Sequence, residues 1–359
     1  MNDFMRKRSA ALITGPDTHL DHLGVLSAVL KIPLIVTEEK TFQLAQSFYP
    51  QANVWLKEPS ELSIDFLAEN FDLLLESGKF WAVDLIPMIE LLFKKKIRLL
   101  FCPHGNSDKG HSLKTHVKQD IALFYGQHML DLLKSNGAYE QIGQLIRTGN
   151  YRLPFYRAHK SFYDSLAEKL VFSHLDPNKK TILYAPTWQD RENPSSFFSA
   201  CENLILQLHR SFNIIVKLHP FLEEDHPAQV LHVISKYETQ EGVLFLKDFP
   251  SIYPLIARAD LYLGDFSSIG YDFLAFDKPL FFLSQRSKDA PGGTLHRCGM
   301  EIPLEEQNNL LQFLETHYEI TLRNFSRSRK EIYNYAFGEE KAPDKVWQEI
   351  AEALNLRFS

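Results

Sequence analysis

Pro103, His104 and Gly105 stand together in this chain, so one imidazole is approached through a stiff residue and left through a permissive one. A histidine titrates near neutrality and suits general-base work when held in this way. A solvated loop histidine would show the same residue types. Farther on, Lys217 and His219 alternate in Val216-Lys217-Leu218-His219-Pro220. Alternation puts both on one side of an extended chain, where a cation and an imidazole could neutralise charge developing on a phosphate; a surface lysine beside a satisfied histidine is the competing explanation. Ser267 and Ser268 follow Asp265 in Gly264-Asp265-Phe266-Ser267-Ser268. Their hydroxyls and the unpaired N–H groups of a following helix could converge on an anion, while Ser267 or Asp265 could simply cap that helix. Thr187 and Trp188, in Tyr184-Ala185-Pro186-Thr187-Trp188, offer a hydroxyl toward phosphate and an indole toward a sugar or base. Trp188 could equally plug an interface.

All four segments follow short apolar runs, and such runs alternate with longer amphipathic stretches along the whole chain. That is the pattern of parallel strands covered by helices, whose ligands bind outside the strands' carboxyl ends. Strands are expected at 11–14, 32–36, 73–75, 98–102 and 121–125, and again at 181–184, 213–217, 243–246, 261–263 and 280–283. Between the halves a strand-like start at Ile146 runs into Gly149 and Pro154, which marks a junction. The expected division is residues 1–153 as a first Rossmann-like domain, 154–342 as a second, and 343–359 as a terminal helix crossing back to the first. Val346, Trp347, Ile350, Ala351 and Leu354 supply that helix's apolar spacing.

With 359 residues and 45% hydrophobic content, the chain is long enough for two cores of ordinary size. A formal net charge of −6 argues against a dedicated nucleic-acid binder. Cys102, Cys201 and Cys298 are too few and too widely spaced for a disulfide framework. The basic N-terminus leads into an apolar run ended by Gly15 and Pro16, which reads as a first strand rather than a leader. No apolar stretch approaches the roughly 20 residues of a membrane-crossing helix. His19 and His22 have a spacing that could share a helical face, yet no third ligand accompanies them, so capping or a place in a cleft wall is the expectation; His111 and His116 follow no ligand pattern either. No metal and no glycine-rich ATP loop is expected.

As an ordered set, His104-Gly105, Tyr184 to Trp188, Lys217 to Pro220, Asp265 to Ser268 with Asp272, Phe273, Lys278 and Pro279, and finally Phe337, Lys341 and Asp344 resemble the CDP-glycerol glycerophosphotransferase family. The resemblance covers most of the chain from residue 100 onward. It implies a GT-B fold, two Rossmann-like domains with parallel sheets facing a central cleft. It implies transfer of glycerol phosphate, or a related polyol phosphate, from a CDP-linked donor to an acceptor hydroxyl in surface-polymer synthesis. The acceptor would be a glycan, a polyol phosphate or a lipid-linked molecule. In that picture His104 activates the acceptor and His219 with Lys217 stabilises the donor phosphates; Ser267 and Ser268 bind the pyrophosphate, and Thr187, Trp188 and Asp265 complete the nucleotide site. No cofactor is implied. Location is expected to be cytoplasmic, with peripheral contact at the membrane's inner face left open. One departure stands out: after His104-Gly105 the family continues into a threonine-proline-leucine type of turn, whereas this chain has Asn106, Ser107, Asp108 and Lys109. Two other readings fit the same turns, a GT-B glycosyltransferase or epimerase using a UDP-sugar and a non-catalytic nucleotide-binding protein.

Overall fold

A parallel strand covered on both faces has no solvent side to show, so it is written as an unbroken apolar run. In the computed structural model, which describes residues 6–78, 82–108, 120–188, 195–283 and 294–355, these runs assemble into two sheets. The chain divides into two compact units. Met1–His104, Lys109–Ala158 and Tyr335–Ser359 form the first; Gly105–Asp108 and His159–Asn334 form the second.

The first unit holds β1 (Ser9–Ile13), β2 (Leu34–Val36), β3 (Val54–Leu56), β4 (Leu73–Glu76), β5 (Arg98–Phe101), β6 (Ile121–Phe124) and β7 (Leu145–Arg147). Their order is β3-β2-β1-β4-β5-β6-β7. Interleaved with them are α1 (Val25–Leu30), α2 (Glu39–Phe48), α3 (Ile64–Asn70), α4 (Ala82–Phe93) and α5 (Gln127–Ser135), and α6 (Arg152–Ala158) follows β7. Ala11 of β1 pairs with Leu34 on one side and Leu75 on the other, both in parallel. Strand order therefore reverses between β1 and β4, the place where such sheets open a crevice at their carboxyl ends. Leu12, Ile35, Leu67, Phe71, Leu74 and Ile97 fill the core on one face.

The second unit repeats the plan. It holds α7 (Lys160–Leu170), β8 (Lys180–Ala185), α8 (Ser196–Leu208), β9 (Phe212–Val216), α9 (Pro220–Asp225), α10 (Pro227–Tyr237), β10 (Val243–Phe245), α11 (Tyr253–Arg258), β11 (Leu261–Gly264), α12 (Ser268–Phe273), β12 (Leu280–Phe282), β13 (Met300–Glu301) and α13 (Leu310–Asn324). The order β10-β9-β8-β11-β12-β13 puts its reversal between β8 and β11. Two parallel α/β units in one chain are the composition of a GT-B fold.

Helix α14 (Ser326–Phe337) carries the chain across the division of the units, and α15 (Pro343–Asn355) packs on α1 and β7. Val346, Trp347, Ile350 and Ala351 are the buried face of α15. The returning segment passes directly over the exit of β6: a Cβ on Gly126 would lie 2.7 Å from the Ala336 carbonyl oxygen, so only glycine fits there. Each apolar run expected to be a strand is one, within two residues at its ends. No strand was expected at β3 or β13, which are short edge strands of the two sheets.

Candidate functional site

In the first unit β5 delivers Cys102, Pro103 and His104 past its last rung, and neighbouring β4 delivers Ser77. His104 Nδ1 lies 2.8 Å from the Ser77 carbonyl oxygen. A carbonyl only accepts, so Nδ1 carries the ring proton and Nε2 keeps its lone pair. The residue is exposed. Desolvation by the surrounding protein lowers its pKa, and the Ser77 bond opposes this only in part. The result is a neutral imidazole with its basic nitrogen available. Cys102, next but one in sequence, is fully buried; burial pushes its thiol up to about 11, which makes it a poor nucleophile.

Two histidines that sequence reasoning set aside lie in the same place. His19 stands with its ring centroid 4.9 Å from that of His104, and Gly78 is its neighbour, a Cβ there making an ordinary contact of 3.7 Å with His19 Cε1. His19 ends a 3-10 turn (Asp17–His19) that runs straight into a π turn (Leu20–Gly24) before α1 begins. That wide turn buries Asp21 and His22 together. Asp21 takes the Arg152 guanidinium at 2.6 Å. His22 Nδ1 lies 2.9 Å from the Tyr125 hydroxyl, which donates to the Pro103 carbonyl at 2.7 Å. Burial, then the Arg152 charge, hold the His22 pKa well below the usual value. The spacing of His19 and His22 suggested one helical face; the mixed turn instead puts one ring at the open rim and the other in the interior. Their position just after β1, at the strand reversal, is the signal that would have found them.

In the second unit the expected residues gather at the carboxyl edge of its sheet. Asp265, which follows β11, accepts at Oδ2 from the N–H groups of Thr187 (2.8 Å) and Ser196 (3.1 Å). Its buried carboxylate therefore staples the exit of β8 to the start of α8. Tyr262 donates to the Asp265 carbonyl at 2.6 Å, so its oxygen receives the proton of Ser267 Oγ at 3.0 Å. Ser267 begins α12 without a side-chain cap bond, so the capping alternative does not hold for it. Ser268 lies against Gly105, whose φ of +143° and absent Cβ let the two backbones approach; an added Cβ would come 2.6 Å from Ser268 Cβ. The same loop is tied down at Asp108, which accepts from the Tyr271 hydroxyl at 2.5 Å.

Lys217 and His219 follow β9, Lys217 being 6% exposed and His219 half-buried. His219 starts α9 and accepts the Phe221 N–H at Nδ1, 3.3 Å away. Its remaining ring proton therefore sits on Nε2, the reverse of His104. Trp188 packs edge-on to Phe221 at 5.2 Å with the His219 ring 6.1 Å away, and it also leans on the second unit's core. Lys278 is structural: its ammonium donates to the carbonyls of Ile256, Ala257 and Ala259, capping the end of α11. Among the described residues no cluster of three or more His, Cys, Asp or Glu side chains could hold a metal ion. His111 and His116 lie outside the described residues.

Residues 114–289 match the family model described as CDP-Glycerol:Poly(glycerophosphate) glycerophosphotransferase. Over that stretch the chain is similar to the CDP-glycerol glycerophosphotransferases. Among its relatives are the teichoic acid glycerol-phosphate primase of Bacillus subtilis (strain 168), 27% identical over 47% of this chain and 40% of the relative, and that of Bacillus spizizenii (strain W23), 31% identical over 47% and 41%. The chain thus spans about two-fifths of the length of the curated relatives it matches. The fold is shared with the wall teichoic acid polymerase TagF, at a TM-score of 0.67 and 13% identity, over 100% of this chain and 92% of that one. The fold class is as the ordered motifs implied, and the family model matches the family that those motifs resemble. No described helix is long and apolar enough to cross a membrane.

Proposed function

We propose that this chain transfers glycerol phosphate, or a related polyol phosphate, from a CDP-linked donor to the hydroxyl of a glycan, polyol-phosphate or lipid-linked acceptor in cell-surface polymer synthesis. The observation that carries this reading is the opposite tautomers of His104 and His219, each fixed by a backbone group. Nε2 of His104 accepts the acceptor's hydroxyl proton. The acceptor oxygen then forms its bond to the phosphorus that bears glycerol, and the bond from that phosphorus to the bridging oxygen breaks, releasing CMP. In this reading Nε2–H of His219 and the ammonium of Lys217 serve to neutralise the charge that collects on the donor's phosphate oxygens. Phosphoryl transfer asks chiefly for alignment and charge neutralisation, which these groups supply without covalent catalysis. Ser267, Ser268, Thr187 and Trp188 hold the pyrophosphate and nucleotide; Asp265 acts by shaping the turn that presents Thr187.

Peripheral contact with the inner face of a membrane belongs to the same reading, with the protein on the cytoplasmic side. Met88, Leu91 and Leu92 of α4 are 48%, 69% and 60% exposed. Lys94, which follows them, is exposed too, and its charge complements anionic lipid. CMP release from CDP-glycerol in the presence of acceptor tests the transfer. His104→Ala and His219→Ala should each abolish it while leaving the thermal unfolding transition in place; full turnover in either variant removes that histidine from the mechanism.

A further inference from the structure

His104 does its proposed work only if its ring stays where Ser77 can hold it, and that depends on what holds the peptide before it. Cys102 N–H donates to the Glu76 carbonyl at 2.7 Å, but Pro103 has no N–H to give. The Pro103 carbonyl is instead met by the hydroxyl of Tyr125, a fully buried residue that leaves β6. A phenol has one proton, and a carbonyl can only accept, so that proton lies on the Tyr125–Pro103 bond. The His22 nitrogen 2.9 Å from the same oxygen must then be the donor. Proton direction is fixed along the whole line, from His22 Nδ1–H to Tyr125 O–H to the Pro103 carbonyl.

His22 and Tyr125 are each anchored. His22 sits in the π turn Leu20–Gly24, whose Asp21 is locked to Arg152 at 2.6 Å. Tyr125 is flanked by Tyr151 at 6.2 Å and edge-on by Phe337 at 5.6 Å, and both neighbours belong to the first unit. We infer that Tyr125 and His22 are positioning residues for His104: through the Pro103 carbonyl they fix the peptide immediately before it, so that the ring can keep its Nδ1–H on Ser77 and aim Nε2 outward. This rests on the transferase reading for its catalytic consequence and on geometry alone for its structural one.

Tyr125→Phe keeps the ring packing and removes one oxygen. In that variant kcat for transfer should fall about tenfold to a hundredfold, the scale of a slightly misplaced catalytic group, while KM for the CDP-linked donor stays unchanged. Separately, 15N spectra of histidine-labelled protein should show His104 in the wild type with one protonated and one bare ring nitrogen, and in Tyr125→Phe should show the two averaging. Because Tyr125→Phe could also weaken the fold, a second pair is needed. His22→Asn, with Tyr125 intact, keeps a donor close to the position of Nδ1 and should retain both kcat and the single-tautomer spectrum, whereas His22→Leu should lose them. An unchanged kcat and unchanged His104 spectrum in Tyr125→Phe, or identical behaviour of His22→Asn and His22→Leu, overturns the proposal. If the wild type shows no transfer at all, the function is wrong and the spectra alone decide the positioning role.

Discussion

Mild acid should weaken the first unit through one buried imidazole. His22 is 6% exposed, and burial with the Arg152 charge beside it holds its pKa well below the usual 6.5; the His104 and His19 rings push the same way. Above pH 6.5 the ring is neutral in folded and unfolded chains alike, and the stability it allows is fully present. Below 6.5 the unfolded chain takes up a proton that the folded chain refuses. Stability therefore falls as pH falls, and the loss continues until the folded-state pKa is reached. One proton contributes about 1.4 kcal/mol per pH unit, which amounts to about 1.3 kcal/mol between pH 7.5 and 5.5. Urea unfolding of wild type and His22→Asn at those two pH values isolates it, because the amide does not titrate and other groups are common to both. The wild type should lose about 1.3 kcal/mol more than the variant. Equal losses would mean that His22 accepts its proton inside the fold, and the neutral donor role assigned to it would fail.

Asp21→Ala should cost about 3–5 kcal/mol in urea unfolding, because it strips the carboxylate from a buried guanidinium; a loss under 1 kcal/mol would show the pair to be weakly coupled. For transfer, kcat/KM should be flat through neutral pH and fall with acid as a single base is protonated. The lowered pKa of His104 places that limb below 6.5, and a limb above 6.5 would contradict its environment. Gly126→Ala forces a methyl group toward the Ala336 carbonyl and should destabilise the first unit by about 1–3 kcal/mol, read as a lower urea midpoint; an unchanged midpoint would mean that the returning segment yields there.

Strands with two covered faces were legible because their apolar runs have no other use: Thr181 to Tyr184 and Leu261 to Leu263 lie inside β8 and β11. The edge strands β3 and β13 were not, since Val54–Leu56 and Met300–Glu301 are only partly buried and too short to show a period. The loop bearing His104 and the turn bearing Lys217 and His219 could be picked out as strand exits. Roles inside those turns could not. Whether Asp265 meets a ligand or two backbone amides, and whether Lys278 meets phosphate or three carbonyls, depends on partners 60 or more positions away in the first case and on a helix end in the second. His19 and His22 escaped because a 3-10 turn feeding a π turn breaks the 3.6-residue period on which facing pairs are judged.

The return of the chain at Tyr335 has a consequence for biosynthesis. Domains emerging from a ribosome ordinarily fold in the order in which they are made. Here the second unit, an unbroken stretch from His159 to Asn334 apart from the Gly105–Asp108 loop, is complete before the first one is. The first sheet must wait, with α1 and β7 uncovered, for Trp347 and its neighbours to arrive and seal them. The tyrosine beneath His104 thus gains its Phe337 neighbour only after the residues of the second unit have been made. A chain released before residue 335 would hold the residues of the second unit but lack the segment that closes the first.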